Sequence, residues 1–192
     1  MTAQVACVEC GKPVSARLAR RMKGLCLTCS NRETHHTIKD PFYLFYNSLI
    51  ERVHNSADGF DGLSDAERLY WSVALLRNEI NNGGFHQYFF NSSGSYYEYA
   101  EKGLVRLGAL QTLDLLRQAK EIVFTGVPVP VDTEIRRDLI PVVEPDSPTP
   151  EWARKLDELD QRFYADADNL TPRLEAFARE HRLVSDQGDS SS

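Results

Sequence analysis

Four cysteines within the first 29 residues form the clearest chemical pattern of the chain. Cys7 is paired with Cys10 and Cys26 with Cys29, each pair as Cys-x-x-Cys, and 15 residues separate the pairs. Thiolates at this spacing are typical of a structural zinc site with four sulfur ligands. Few apolar residues surround them, so bound metal would supply free energy of folding that burial does not. We therefore predict a zinc-ribbon-like or treble-clef-like module over residues 1–36 with structural Zn²⁺; the alternatives are an iron–sulfur centre and a redox pair of thiols.

A basic stretch lies between the two cysteine pairs. Arg17, Arg20 and Arg21 fit one face of a helix, and such a face is suited to nucleic-acid phosphates. No aromatic residue is interleaved with them, so a stacking platform for bases is missing. The alternatives are a solvated basic face and a face that meets an acidic protein surface.

Charge is divided unevenly along the 192 residues, whose net charge is −6. Residues 1–39 contain seven Lys/Arg and two Asp/Glu, a balance of +5, whereas residues 40–192 contain 15 and 26, a balance of −11. The chain is therefore divided into a basic head, residues 1–39, and an acidic body, residues 40–192. Either part can attract a partner of opposite charge. No apolar run approaches the ~20 residues of a membrane span, and the first residues lack the pattern of a signal peptide, so we expect a cytoplasmic protein with no membrane partner.

Within the acidic body, residues 40–184 are predicted to be mainly α-helical and bundle-like. Asp40-Pro41 begins a first amphipathic helix, and Ser64 with Glu67 forms a capping box at the start of a second. Gly108 interrupts the next helical pattern, which fits a helix pair and a kinked helix equally well. Residues 185–192 are polar and are expected to form a disordered tail.

Three further helices are predicted in the second half of the body. A short one runs from Asp132 to Ile140, and another carries Trp152 and Phe163 at helical spacing. Thr171-Pro172 is predicted to cap the last helix. No strand pattern is found outside the cysteine module.

Asn78–Gly94 is the densest stretch of the body. Gly83 and Gly84 predict that the second helix ends near Asn82, because glycine adopts the left-handed conformation without strain. One further turn places Phe85 and other aromatics on a common face, and a polar turn follows. One interpretation is an interhelical corner with an aromatic plug; the other is a pocket that uses Glu79, His86 and Gln87.

The same stretch carries a motif that is similar to a known family signature. Its pattern, Glu-x-Asn-Asn-Gly-Gly-Phe-x-Gln-Tyr-Phe-x-Asn-Ser-Ser-Gly, resembles that of a bacterial family of DNA-mimic proteins, in their C-terminal domain. The best-known member is a dimeric, acidic protein that binds a helix-turn-helix transcription factor. The resemblance covers about residues 40–183, including Leu107-Gly108-Ala109, and implies an all-α domain that binds a protein partner, with a homodimer as one form. The signature-corner residues are Glu79, Asn82, Gly83, Gly84, Phe85, Gln87, Phe89 and Asn91.

Acidic residues are concentrated near the end of the body. Residues 132–168 contain 11 Asp/Glu against five Lys/Arg. Carboxylates on a rigid helix can imitate a phosphate backbone, because DNA-binding proteins respond largely to its charge. The alternative is a solvated helix face, neutralised by Arg154, Lys155 and Arg162 through i, i+4 pairs. The candidate partner-binding residues are Asp157, Glu158, Asp160, Asp166 and Asp168.

Motifs for catalysis are missing from the body. The sequence has no phosphate-binding glycine loop, no nucleophile elbow and no His-Glu-x-x-His pair. His54, Glu79, His86 and His181 remain as residues that a fold could assemble into a site, but we expect no enzymatic role. The prediction is a non-catalytic interaction protein whose partner is a protein, in one version a DNA-binding regulator. The alternatives are a nucleic-acid-binding regulator that uses the zinc module and a toxin-immunity-type protein.

Overall fold

A short β-hairpin and a succession of amphipathic helices make up the fold. The computed structural model describes residues 4–8, 11–15, 40–143 and 148–184. Single 3₁₀ turns occur at Gly59–Gly62 and Ser92–Tyr96. The prediction of a mainly helical body is confirmed. The helices in chain order are α1 Pro41–Asn55, α2 Asp65–Phe90, α3 Tyr97–Arg106, α4 Leu110–Phe124, α5 Thr133–Leu139, α6 Glu151–Tyr164 and α7 Leu170–Glu180.

The hairpin lies near the amino end. β1 (Gln4–Ala6) pairs antiparallel with β2 (Pro13–Ser15), and Val5 lies opposite Val14. Residues 1–3, 9–10 and 16–36 of the predicted zinc module lie outside the described residues, so its zinc-ribbon or treble-clef form stays a prediction.

The described residues belong to two compact units. One ends at Ser48 and the other begins at Leu49. The predicted domain boundaries, at 1–36, 40–184 and 185–192, stay predictions, as does the disordered tail.

α2 begins at the capping box predicted from the sequence. The Glu67 N–H donates to Ser64 Oγ at 3.4 Å, and the Ser64 N–H donates to Glu67 Oε2 at 2.8 Å. Two first-turn donors are satisfied in this way, which stabilises a helix end by about 1 kcal/mol. Arg52 of α1 also binds the Glu67 carboxylate, and its hydrogen bonds lower the pKa of Glu67.

The helical pattern around Gly108 forms a helix pair. α3 ends at Arg106 and α4 begins at Leu110, and Gly108 between them has a φ of 66°. A positive φ is favourable for glycine and strained for other residues. The structure therefore selects the helix pair over the kinked helix.

The last helix begins earlier than its predicted cap. α7 starts at Leu170, after Asn169 in the left-handed conformation with a φ of 51°. Asp166 Oδ1 accepts the Leu170 N–H at 2.8 Å, so this carboxylate satisfies the donor in place of Thr171. Pro172 lies in the first turn, where its missing N–H has no intrahelical acceptor to lose.

α2 is the central helix of the unit that begins at Leu49. α3, α5, α6 and α7 pack against it, while α4 packs mainly against α3 and α6. Burial of large apolar side chains stabilises this arrangement by ~1.5–3 kcal/mol each. The side chains buried around α2 include Trp71, Val73, Leu76, Ile80, Phe85, Phe89, Leu104, Leu116, Phe163 and Phe177.

Candidate protein-interaction site

Gly83 and Gly84 break α2 where the sequence predicts it. Gly83 has φ −162° and ψ 27°, and Gly84 has φ 75° and ψ −177°, so neither is helical. The combination at Gly84 is essentially restricted to glycine. Helical geometry resumes at Phe85 and continues to Phe90, and the predicted end near Asn82 is confirmed.

A carboxylate of α6 caps the resumed helix. Asp160 Oδ1 accepts the backbone N–H of Phe85 at 2.8 Å. N–H groups in a first helical turn have no intrahelical acceptor and are stabilised by a nearby acid. Gly84 makes this approach possible, because a Cβ atom there would lie 2.1 Å from Asp160 Oδ2. Gly84 therefore allows α6 to pack close to the break in α2.

Polar residues of the signature corner bind one another across the break. Glu79 Oε2 accepts hydrogen bonds from Gln87 Nε2 at 2.7 Å and from Asn91 Nδ2 at 2.9 Å. Phe85 and Phe89 are fully buried beneath this network. These contacts agree with the interpretation of an interhelical corner with an aromatic plug. In it, the Glu79 carboxylate links the two sides of the break by hydrogen bonds. Asn82 is exposed and takes no part in the network.

Arg136 binds the backbone at the end of α2, and no sequence pattern indicated this role. Its side chain is fully buried; Nε donates to Phe89 O and Nη2 to Asn91 O, both at 2.6 Å. These carbonyls lie at the end of α2, where partial negative charge accumulates. A Cβ atom at Gly94 would lie 2.6 Å from Arg136 Nε, so the last glycine of the motif makes room for this cation. Nη1 also donates to Pro130 O, Val131 O and Ser95 Oγ, and Nη2 to Thr133 Oγ1.

α6 turns one face to the core and an acidic face outward. Leu156, Leu159 and Phe163 are buried at i, i+3 and i+7. Asp157 and Glu158 lie between them in sequence and are exposed. No ion pair to either carboxylate is formed by any residue that the structure describes.

Two of the three cations that interrupt the acidic run of α6 contact other carboxylates. Lys155 Nζ binds Glu151 at 2.7 Å. Arg162 lies 3.9 Å from the Asp114 carboxylate on α4. Arg154, the third cation, is exposed. In the described part of the chain none of the three forms an ion pair with Asp157 or Glu158, so the alternative of neutralisation through i, i+4 pairs is not found there.

Asp160 lies between the two faces of α6. Burial raises the pKa of Asp160 to about 6, and repulsion from Asp157 acts in the same direction. The hydrogen bond from Phe85 and the nearby His86 act in the opposite direction but do not cancel the effect of burial. Asp160 is thus a half-buried acid without a full counter-charge.

The two acids that follow α6 have structural contacts. Asp168 is 6% exposed, and its Oδ2 accepts the Thr112 N–H in the first turn of α4 at 2.6 Å. Asp166 is exposed and holds the start of α7. The structure therefore leaves Asp157, Glu158 and Asp166 on the surface and places Asp168 inside. Partner binding by the five predicted acids stays a prediction.

The residues considered for a catalytic pocket do not converge. His86 stacks with Phe90 and Trp152, whereas Glu79 is engaged by Gln87 and Asn91. Across the described ranges, no group of three or more His, Cys, Asp or Glu side chains is arranged to hold a metal ion. His54 packs edge-on against Trp71, and His181 packs against Phe177.

The cysteine pattern is described in part. Cys7 follows β1 directly and is 2% exposed. Its N–H donates to Lys12 O and its carbonyl accepts the Gly11 N–H, both at 2.9 Å, so the chain folds back where the first Cys-x-x-Cys pair lies. Cys10, Cys26, Cys29, Arg17, Arg20 and Arg21 lie outside the described residues.

Comparison with protein families gives one match. The model of a family described as DMP19-like protein matches residues 61–181, more than half of the chain. The chain belongs to this family. The DMP19-like match includes α2 to α7, with the whole signature corner, and it begins after α1, later than the predicted resemblance from residue 40.

The two other comparisons, with curated proteins and with solved structures, found no protein similar to this chain. Within the described ranges, no helix of this DMP19-like protein combines the length and apolar composition that crossing a membrane requires.

Proposed function

We propose that this DMP19-like domain binds a nucleic-acid-binding protein through the outward carboxylates of α6. The observation that carries the proposal is that Asp157 and Glu158 are exposed and have no ion pair within the described structure. Family membership supports a protein-interaction role of the DNA-mimic type. The balance of −11 over residues 40–192 extends the attraction to a basic partner beyond the contact itself.

Rigid presentation distinguishes these carboxylates from an ordinary solvated acid run. α6 is fixed through Leu156, Leu159 and Phe163 on the core side and through the Asp160 contact to Phe85. A pre-ordered surface loses less conformational entropy on binding than a mobile one. Lysine and arginine side chains that bind DNA phosphates respond mainly to charge and position, which fixed carboxylates can imitate.

The proposed role is non-catalytic. Glu79 and Asp168 serve hydrogen bonds within the fold, and His86 is part of an aromatic stack. These contacts indicate that Glu79, Asp168 and His86, the residue types that catalytic sites use, stabilise the fold in this protein. A homodimer and a cytoplasmic location stay predictions.

We also propose that Cys7, Cys10, Cys26 and Cys29 hold a structural zinc ion. The spacing of the four cysteines supports this proposal. Elemental analysis of the full chain is expected to give one zinc per molecule, and Cys7→Ser is expected to lose it. A full chain that contains no stoichiometric zinc would refute the proposal.

The partner proposal is tested by capture on the immobilised full chain from a lysate of the native cell. The bound proteins are expected to be DNA-binding proteins that excess duplex DNA releases, because the duplex competes for the same cationic surface. Capture is also expected to weaken as salt rises, since the contact is between charges.

The matched variants keep the total charge change constant. Asp157→Asn with Glu158→Gln is expected to abolish capture, whereas Glu121→Gln with Glu180→Gln, on α4 and α7, is expected to preserve it. If duplex DNA releases nothing, or if both double variants capture equally, the proposal is wrong.

A further inference from the structure

A cavity opens between the signature corner and α6. Its volume is about 290 Å³, and its walls include Gly83 and His86 of α2 and Trp152, Asp157 and Asp160 of α6. Pockets for small molecules usually measure ~300–1,000 Å³, so this one has room for about one side chain or fragment. It adjoins the surface proposed above for the partner, since Asp157 belongs to both.

One wall of this cavity is aromatic. The His86 ring stacks with Trp152 at a centroid distance of 5.8 Å and an interplanar angle of 24°. It also stacks with Phe90 at 6.2 Å and 13°. Flat aromatic walls attract cations, and a planar guanidinium benefits most because it can lie parallel to the ring.

Another wall of the cavity is anionic. Asp157 and Asp160 are three residues apart on α6 and therefore lie on the same side of the helix. Asp160 Oδ1 is taken by the Phe85 N–H, while no described residue donates a hydrogen bond to Oδ2. The raised pKa of Asp160 is consistent with a carboxylate that lacks a counter-charge. A cation in the cavity would complete this half-buried site.

We infer that the cavity is a socket for one arginine side chain of the protein partner. The guanidinium stacks on the face of Trp152 that His86 does not cover and donates hydrogen bonds to the carboxylates of Asp157 and Asp160. A lysine ammonium satisfies the charge but not the planar stack, and an apolar side chain leaves both carboxylates unsatisfied. This inference rests on the proposed function, because it assigns one residue type of the same partner to one position on the same face.

The test uses the ¹⁵N-labelled full chain and three small probes. They are the Nα-acetyl amides of arginine, lysine and norleucine, which differ in the head of the side chain. The arginine probe is expected to shift the Trp152 indole N–H and the Gly83 amide signals along a saturable curve. The norleucine probe is expected to bind about tenfold more weakly, because it lacks the charge-assisted hydrogen bonds. Equal affinity for the lysine probe would overturn the assignment to arginine.

Two single variants locate the binding. Asp157→Asn and Asp160→Asn are each expected to weaken the arginine probe about tenfold. Asp157 is exposed, so Asp157→Asn is expected to retain the native spectrum even if Asp160→Asn alters it. Glu121→Gln removes the same charge at an exposed position outside the cavity and is expected to leave probe affinity unchanged.

The outcomes separate this inference from the proposed function. Unchanged arginine affinity in Asp157→Asn, or equal affinity for norleucine, would overturn the socket. If either occurred while duplex DNA still released captured partners, the proposed function would stand without the socket. An arginine-specific socket in a chain that captures no DNA-binding protein would overturn the proposed partner alone.

Discussion

The carboxylates of α6 differ in their surroundings: Asp160, the inner one, contacts α2, whereas Asp157 and Glu158, the outer ones, face solvent. Asp160 turns toward α2, accepts the Phe85 N–H and has its pKa raised by burial. Asp157 and Glu158, within the same helical turn, are exposed and have no ion pair among the described residues. An acidic run in a sequence is therefore not yet an acidic surface. Hydrogen-bond partners decide which members support the fold and which are free to meet another molecule.

The buried cation of the corner should give the largest effect when it is changed. Arg136→Met leaves the carbonyls of Phe89 and Asn91 without their donor in a dry environment. We expect the free energy of unfolding to fall by about 3–5 kcal/mol, measured by urea denaturation. Arg137→Met is the matched control, since Arg137 is half-exposed and donates to Phe90 O at 3.0 Å; it should lose about 1 kcal/mol. Equal losses would mean that burial of Arg136 is unimportant.

The contact between Gly84 and Asp160 should give the next largest effect. In Gly84→Ala the Cβ atom meets Asp160 Oδ2 and the backbone keeps a strained positive φ. A loss of about 3 kcal/mol is expected in the same denaturation experiment. Gly83→Ala serves as its control and should lose about 1 kcal/mol, because the new atom meets the movable side chain of Gln87. Comparable losses at both positions would show that α6 does not depend on Gly84.

Asp160→Asn should distinguish the charge of the inner carboxylate from its hydrogen bond. The folded-state pKa of about 6 is above the usual 3.8, so the contribution of Asp160 to stability is full below ~pH 4 and is lost as pH rises through ~6. The amide oxygen can still accept the Phe85 N–H but carries no charge. Above ~pH 6 the variant should be more stable than the wild type by about 1 kcal/mol, because the residue is only half-buried. A difference that does not change between pH 4 and pH 7 would contradict this explanation.

The outer carboxylates should give the smallest change in stability. Asp157→Asn with Glu158→Gln should shift the free energy of unfolding by no more than ~0.5 kcal/mol, because neither residue has a partner in the fold. The same variant is expected to lose partner capture. A large loss of stability would mean that Asp157 and Glu158 also stabilise the fold, as Asp160 does, and that the two faces of α6 do not differ in this respect.

Local chemistry allowed much of the fold to be predicted. The Ser64–Glu67 capping box, the break at Gly83 and Gly84 and the helix around Trp152 all depend on residues close in sequence. The start of α7 was misplaced because its first donor is satisfied by Asp166, outside the helix.

The candidate site was less predictable because its contacts join distant residues. Nothing in a run of acids shows that Asp160 reaches Phe85 or that Asp168 reaches Thr112. Arg136 was missed for the same reason, since its acceptors are backbone carbonyls that carry no sequence signal. Gly94, whose missing Cβ makes room for Arg136, and Gly84, whose missing Cβ makes room for Asp160, are local indications of a close approach.

The long-range cap of Phe85 by Asp160 also bears on synthesis of the chain. While the ribosome has delivered residues only as far as α5, the Phe85 N–H lacks its native acceptor, Asp160, and can bind only water. Arrival of α6 completes that segment and, in the same event, presents Asp157 and Glu158. A molecule that ends before α6 therefore lacks the outer carboxylates and the cap of Phe85 together.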